Sequence, residues 1–225
     1  CYYHPDMVDH GEITVHHGEY VTDLITDRAL EYLKELGEGT DPFYLSVHYT
    51  APHSPWGKEH HPAKWIDYYD GCRFPSIPNV PDHPDLRTGA VYGTGKREEN
   101  LRGYFAAISA MDEQIGRLLD AVEEQGLADN TVILFTADNG MSMGQHGVWG
   151  KGNGTFPMNM YDSAVKVPFL ISWPGHIPAN TVCSEMISAC DLLPTILKLT
   201  GLSDKQPTGL PGRSFTELLK GEQRE

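Results

Sequence analysis

An apolar, β-branched run at residues 132–136 (Val132, Ile133, Leu134, Phe135, Thr136) stops abruptly at Asp138-Asn139-Gly140. Such a run marks a buried strand, and two oxygen-bearing side chains followed by glycine place a polar turn at its end. Gly144, Gly147, Gly150, Gly152 and Gly154 then make a loop carrying His146 and Lys151. In open α/β sheets, ligands bind beyond the carboxyl ends of strands. Carboxylate and amide oxygens there suit a hard divalent cation, and a lysine suits the anion such a cation attracts. Asn-Gly after a strand is also a hairpin signal, so these residues alone leave a cation site and an ordinary turn both open.

Around this segment, helix and strand signals alternate, which predicts an α/β fold with a largely parallel sheet flanked by helices. Residues 22–36 carry a helical stripe (Leu24, Ile25, Leu30, Leu33, Leu36) that ends at Gly37. Residues 43–47 read as a short strand entering a proline-marked loop. From Leu101, the positions Phe105, Ile108, Met111, Ile115, Leu118, Leu119 and Val122 share one helical face, and that packing helix ends at Gly126. Residues 168–173 read as a further strand, 186–188 as another, and Asp191 as the cap of a helix through Leu199.

Two stretches lack a period. Residues 1–19 form an irregular leader in which His10, His16 and His17 read as solvated side chains. Residues 52–96 form a long, proline-rich loop region. Its Trp56, Trp65, Tyr68, Tyr69 and Arg73 either clamp a sugar or pin the loop to the body.

A net charge of −14, from 17 basic and 31 acidic residues, argues against nucleic-acid binding. An anionic substrate would need a local basic pocket, which is tolerable because distant charges are screened beyond about 8–10 Å in physiological salt. No apolar run approaches the roughly 18 residues of a membrane span. Four cysteines at irregular spacing match neither a zinc site nor a disulfide framework. Cys183 and Cys190 either pair or stay free, and free buried thiols are the preferred reading.

The glycine loop continues as GQHGVWGKG, then Tyr161-Asp162-Ser163-Ala164-Val165-Lys166-Val167-Pro168-Phe169, then Ile171-Ser172-Trp173-Pro174-Gly175. With Asp-Asn-Gly after a strand and a lysine thirteen residues past the aspartate, this succession resembles the sulfatase family of the alkaline phosphatase superfamily. The resemblance runs from about residue 20 to residue 221. It implies an alkaline-phosphatase-like sheet, and it makes Asp138 and Asn139 ligands of a divalent metal, Ca2+ by preference with Mg2+ possible. It makes Lys151 and His53 the groups that contact sulfate and protonate the leaving oxygen. His48 competes with His53, which is preferred because flanking prolines hold it in a loop beyond the strand end. The resemblance leaves His146 a loop-fixing hydrogen bond and Lys166 a structural role.

Sulfatases of this family take a formylglycine nucleophile from a Cys- or Ser-x-Pro-x-Arg motif, and no such pentapeptide occurs here. The family's N-terminal Asp-Asp pair and upstream Lys-His pair are also absent. The expectation is that residues 1–225 are part of a catalytic domain, incomplete at the N-terminal side and inactive alone, with strand edges exposed. The parent protein is expected to hydrolyse a sulfated small molecule or glycan, without nucleic acid or a membrane span. By resemblance it works in the periplasm, outside the cell or in lysosomes. A metal-dependent phosphodiesterase or phosphonate hydrolase of the same superfamily, and a non-catalytic binding fragment, are the alternatives.

Overall fold

The computed structural model describes residues 2–88 and 96–221, and they divide into two compact units. The first comprises residues 1–127 and 136–169; the second comprises 128–135 and 170–225.

In the first unit, the leader is ordered. Strands β1 (Asp6–Asp9) and β2 (Glu12–Val15) form an antiparallel hairpin with Asp6 opposite Val15 and Asp9 opposite Glu12. His10 and Gly11 make its two-residue turn, both at positive φ (49° and 87°). That is the hairpin turn whose twist matches the strands. The stretch reads as irregular because both strands are short and largely exposed, so no buried face stamps a period on them.

Helix α1 (Val21–Gly37) follows as predicted, but its most buried face is Val21, Thr22, Thr26, Ala29 and Leu33. Thr26 holds its hydroxyl on the Thr22 carbonyl at 2.9 Å and on the Tyr49 hydroxyl at 2.8 Å, so a polar side chain enters the core satisfied. Residues 43–50 alternate half-buried and exposed side chains, as a strand would, yet they belong to no strand. The side-chain pattern is that of a strand; no ladder partner lies among the described residues.

The long loop region is partly regular. It contains α2 (Ala63–Tyr68), and its aromatic residues mostly pin it to the body. Trp56 is buried in a cluster with Phe74, Leu101, Met143 and Trp149, against which Tyr69 packs. The Trp65 indole donates to Glu113, whereas Tyr68 and Arg73 are exposed.

Helix α3 (Arg97–Glu124) packs against α1 and α2. Its deepest positions include Gly103, Ala106, Ala107 and Ala110, smaller than the residues the hydrophobic pattern singles out. Small residues let backbones approach: a Cβ on Gly103 would lie 1.8 Å from the Trp56 carbonyl oxygen. Leu119, expected on the packed face, is 40% exposed.

In the second unit, most of β3 (Ile133–Thr136) pairs with most of β6 (Phe169–Ser172), so two predicted strands are neighbours in one sheet. No strand forms at 186–188. Instead Ser188 begins a capping box with Asp191, whose carboxylate accepts from the Ser188 and Arg213 backbone N–H groups. Helix α5 (Leu192–Leu199) follows, and α6 (Thr216–Leu219) joins it through a Lys198–Glu217 ion pair. Cys183 and Cys190 are free but exposed rather than buried. No helix among the described residues is long and apolar enough to cross a membrane.

Candidate active site

Immediately after β3, Asp138 is exposed and Asn139 half-buried. The Lys151 ammonium donates to Asn139 Oδ1 at 2.8 Å, so the amide and the amine from the following loop meet. The chain does not form a hairpin on the Asn-Gly pair. Gly140 instead docks on α4 (Asp162–Val165), its N–H donating to the Ala164 carbonyl at 3.2 Å. A Cβ there would come within 2.4 Å of the Ser163 carbonyl oxygen. The glycine serves close backbone approach, not a left-handed turn.

The loop carrying Lys151 is built by short elements. Strands β4 (Ser142–Met143) and β5 (Trp149–Gly150) pair antiparallel, with Met143 and Trp149 buried. Asn159 closes the loop after them: its amide nitrogen lies 3.3 Å from the Lys151 carbonyl oxygen and 3.2 Å from that of Gly152. Part of the 52–96 region lies along it. His83 N donates to the Gly147 carbonyl, Arg87 N to that of Gly154, and Phe156 N to that of Asp85. Gly147, at φ +70°, permits this approach, since a Cβ would meet the Pro81 carbonyl oxygen at 2.1 Å.

His146 is fixed by stacking rather than by the hydrogen bond expected of it. Its ring lies 4.1 Å from that of Tyr161, nearly parallel. Tyr161 Oη in turn lies 3.3 Å from His83 Nε2. His83 Nδ1 accepts from the Asp85 backbone N–H at 3.1 Å, so in the neutral ring the proton sits on Nε2. Nothing in the sequence marks His83 or Asn159 as belonging with Lys151. Lys166 pairs with Asp162 at 2.7 Å on the surface, in keeping with a structural role.

His53 lies in a different loop, and no hydrogen bond or ion pair among the described residues joins it to the Asn139–Lys151 pair. Its Nδ1 is 2.9 Å from the Ser54 carbonyl oxygen, which can only accept. Nδ1 therefore carries a proton, and the exposed ring leaves Nε2 to face solvent or substrate. His48, its competitor, is engaged with Ser46 at 2.8 Å.

Asn139 Oδ1 already holds a positive group, the Lys151 ammonium, and the residue before it, Asp138, is exposed. Both are hard oxygen donors and fit a calcium-type cation. They supply only part of a shell: among the described residues, no group of three or more His, Cys, Asp and Glu is arranged to hold a metal.

The fold is part of the alkaline-phosphatase-like α/β fold. A family model described as "Sulfatase" matches residues 2–202, and the chain belongs to the sulfatase family. It is 32% identical over 205 residues to an ulvan-active sulfatase of Formosa agariphila, covering 90% of this chain and 37% of that protein. A Bacteroides thetaiotaomicron structure, solved in work on glycosaminoglycan metabolism, superposes with a TM-score of 0.82 at 28% identity over 100% of this chain and 44% of its own. A phosphonate monoester hydrolase from Silicibacter pomeroyi superposes with a TM-score of 0.74 at 25% identity, covering 91% of this chain and 42% of its own. The chain thus spans between about a third and a half of the length of the relatives it matches.

Proposed function

We propose that residues 1–225 are part of the catalytic domain of a sulfuric ester hydrolase acting on a sulfated carbohydrate. The observation that carries this reading is the Lys151–Asn139 contact at the end of β3 in a chain of the sulfatase family. A sulfate ester repels nucleophiles, and its hydrolysis puts charge on the departing oxygen, so catalysis needs a cation at the non-bridging oxygens and a proton donor at the leaving group. Asp138 and Asn139 would hold Ca2+, or Mg2+, which would draw charge from the sulfate oxygens. Lys151 serves as a point charge on a flexible stem, turning from Asn139 to the sulfate. His53, once protonated, donates from Nε2 to the leaving oxygen. The nucleophile in this reading is a formylglycine; residues 1–225 carry no Cys- or Ser-x-Pro-x-Arg motif for it, so the 225-residue chain alone is expected to turn over no sulfate ester. A relative named as an extracellular sulfatase supports a location in the periplasm, outside the cell or in a lysosome.

Full-length protein assayed on a sulfated monosaccharide should lose at least about a hundredfold in turnover on Lys151→Ala, the scale of losing one charge-stabilising donor. Unchanged turnover in that variant would remove Lys151 from the chemistry. A second reading, phosphonate monoester hydrolysis, is favoured by the superposition on such an enzyme. Turnover of a phosphonate monoester with none of any sulfate ester would replace the first reading by the second.

A further inference from the structure

The loop that presents His53 is held from beneath by three ring donors. Tyr2 Oη donates to the His53 carbonyl at 2.6 Å. The Trp56 indole donates to the Pro52 carbonyl at 2.9 Å. His61 Nε2 is 3.0 Å from the Pro55 carbonyl oxygen and must donate to it. That assignment leaves His61 Nδ1 without a proton in the neutral ring, so the Tyr20 hydroxyl, 3.2 Å away, donates to it. The tautomer is determined at both nitrogens.

These donors are among the most deeply buried polar side chains of the first unit: Tyr2 is 1%, His61 3% and Trp56 4% exposed. Tyr2 stacks on Tyr20 at 5.6 Å and meets the His61 ring edge-on at 4.6 Å, so the three rings pack as one block. Its backbone is tied to the first turn of α1, where Val21 N donates to the Tyr2 carbonyl at 2.8 Å. Burial holds Tyr2 and Tyr20 protonated far above the ordinary tyrosine range, and holds His61 neutral. The block thus offers neutral donors only. Above it, the His53 imidazole is exposed and donates to the Ser54 carbonyl of the same loop. Anchoring the carbonyls of residues 52, 53 and 55 fixes the backbone from which that ring projects.

We propose that Tyr2 and His61 are positioning residues: through the His53 and Pro55 carbonyls they hold the His53 ring in the orientation in which Nε2 meets the leaving oxygen. This rests on the reading of His53 as the proton donor. Pre-organisation of this kind acts on the chemical step, where a misplacement of about 1 Å costs up to about a hundredfold.

The experiment is a double-mutant cycle in the full-length protein, with a sulfated monosaccharide, whose alkoxide leaving group needs the proton, as probe and kcat and KM measured separately. Tyr2→Phe, which removes one oxygen and keeps the ring, should lower kcat about tenfold and change KM less than about twofold. In a His53→Ala background, Tyr2→Phe should have no further effect, because a residue acting through His53 has nothing left to position. His61→Leu should reproduce the loss, and His61→Gln, whose amide nitrogen can still donate to Pro55, should restore most of it. The His61 pair also provides the answer if Tyr2→Phe fails to fold. Wild-type kcat in both Tyr2→Phe and His61→Leu, with His53→Ala slowed to a measurable residual rate, would overturn the clamp and leave the His53 reading standing. Equal losses from Tyr2→Phe with and without His53 would show a general structural defect and also overturn it. Full activity of His53→Ala would overturn the His53 reading, and the clamp with it.

Discussion

Asn139 carries the most information per atom in the site, because its single side-chain oxygen meets the Lys151 ammonium at 2.8 Å while its amide nitrogen donates to the Gly140 carbonyl. Under the proposed reading that oxygen would turn to a divalent ion together with the carboxylate of Asp138, both being hard oxygen donors. Calorimetric titration with Ca2+ should detect weak binding, since two protein ligands leave most of the usual 6–8 positions to water. Asp138→Ala should abolish that heat, and identical isotherms for the two proteins would remove Asp138 from the metal site. That Asn139 and Lys151 share one site is implied by the family resemblance, whereas their direct hydrogen bond is seen only in the fold. The partners of His146 could not be expected: ring stacking on Tyr161 depends on where the chain after Asn159 returns, and no local pattern encodes that.

At the scale of elements, periodicity places the long helices well and finds only part of their buried faces, such as Leu33, Leu101, Met111 and Val122. Both α1 and α3 lie where the apolar stripes put them, yet their deepest positions include Thr22 and Thr26 on α1 and Gly103, Ala106 and Ala107 on α3. Hydrophobicity ranks large side chains first, whereas close packing ranks by fit, and a small residue is needed wherever another backbone arrives. Gly103→Ala should cost about 1–3 kcal/mol of stability by overpacking against the Trp56 carbonyl. Urea denaturation would measure it, and an unchanged midpoint would mean that the loop yields without cost. The β1–β2 hairpin is hidden for the opposite reason, since its exposed faces leave no alternation of burial to read. Residues 43–50 keep the alternation and lack the ladder.

For the molecule as a whole, acid should act through His61. Burial lowers its pKa from 6.5 to about 4; His60 pushes the same way, while the Pro55 carbonyl and Glu59 oppose. Between those two values the unfolded chain binds more protons than the folded one, so stability falls as pH drops through that window. Its contribution is complete above about pH 6.5. Of the order of 2 kcal/mol should be lost between pH 7 and pH 5, because each tenfold difference in proton affinity between the unfolded and folded chain is worth about 1.4 kcal/mol. Denaturation midpoints at the two pH values should show a smaller difference in His61→Gln, and equal differences would mean that His61 is not held neutral. His61 stands in the loop region without any distinguishing pattern; it matters because Tyr2, fifty-nine residues earlier, packs on it. What the amino-acid order determined by itself was local and periodic: helices, the strands around the site, and the type and spacing of chemical groups at a strand's end. What only the tertiary structure decided was which distant groups satisfy one another, as with the rings under His53 and the backbone laid along the glycine loop. Those choices follow from burial, because a polar group removed from water must find its partner wherever the folded chain supplies one.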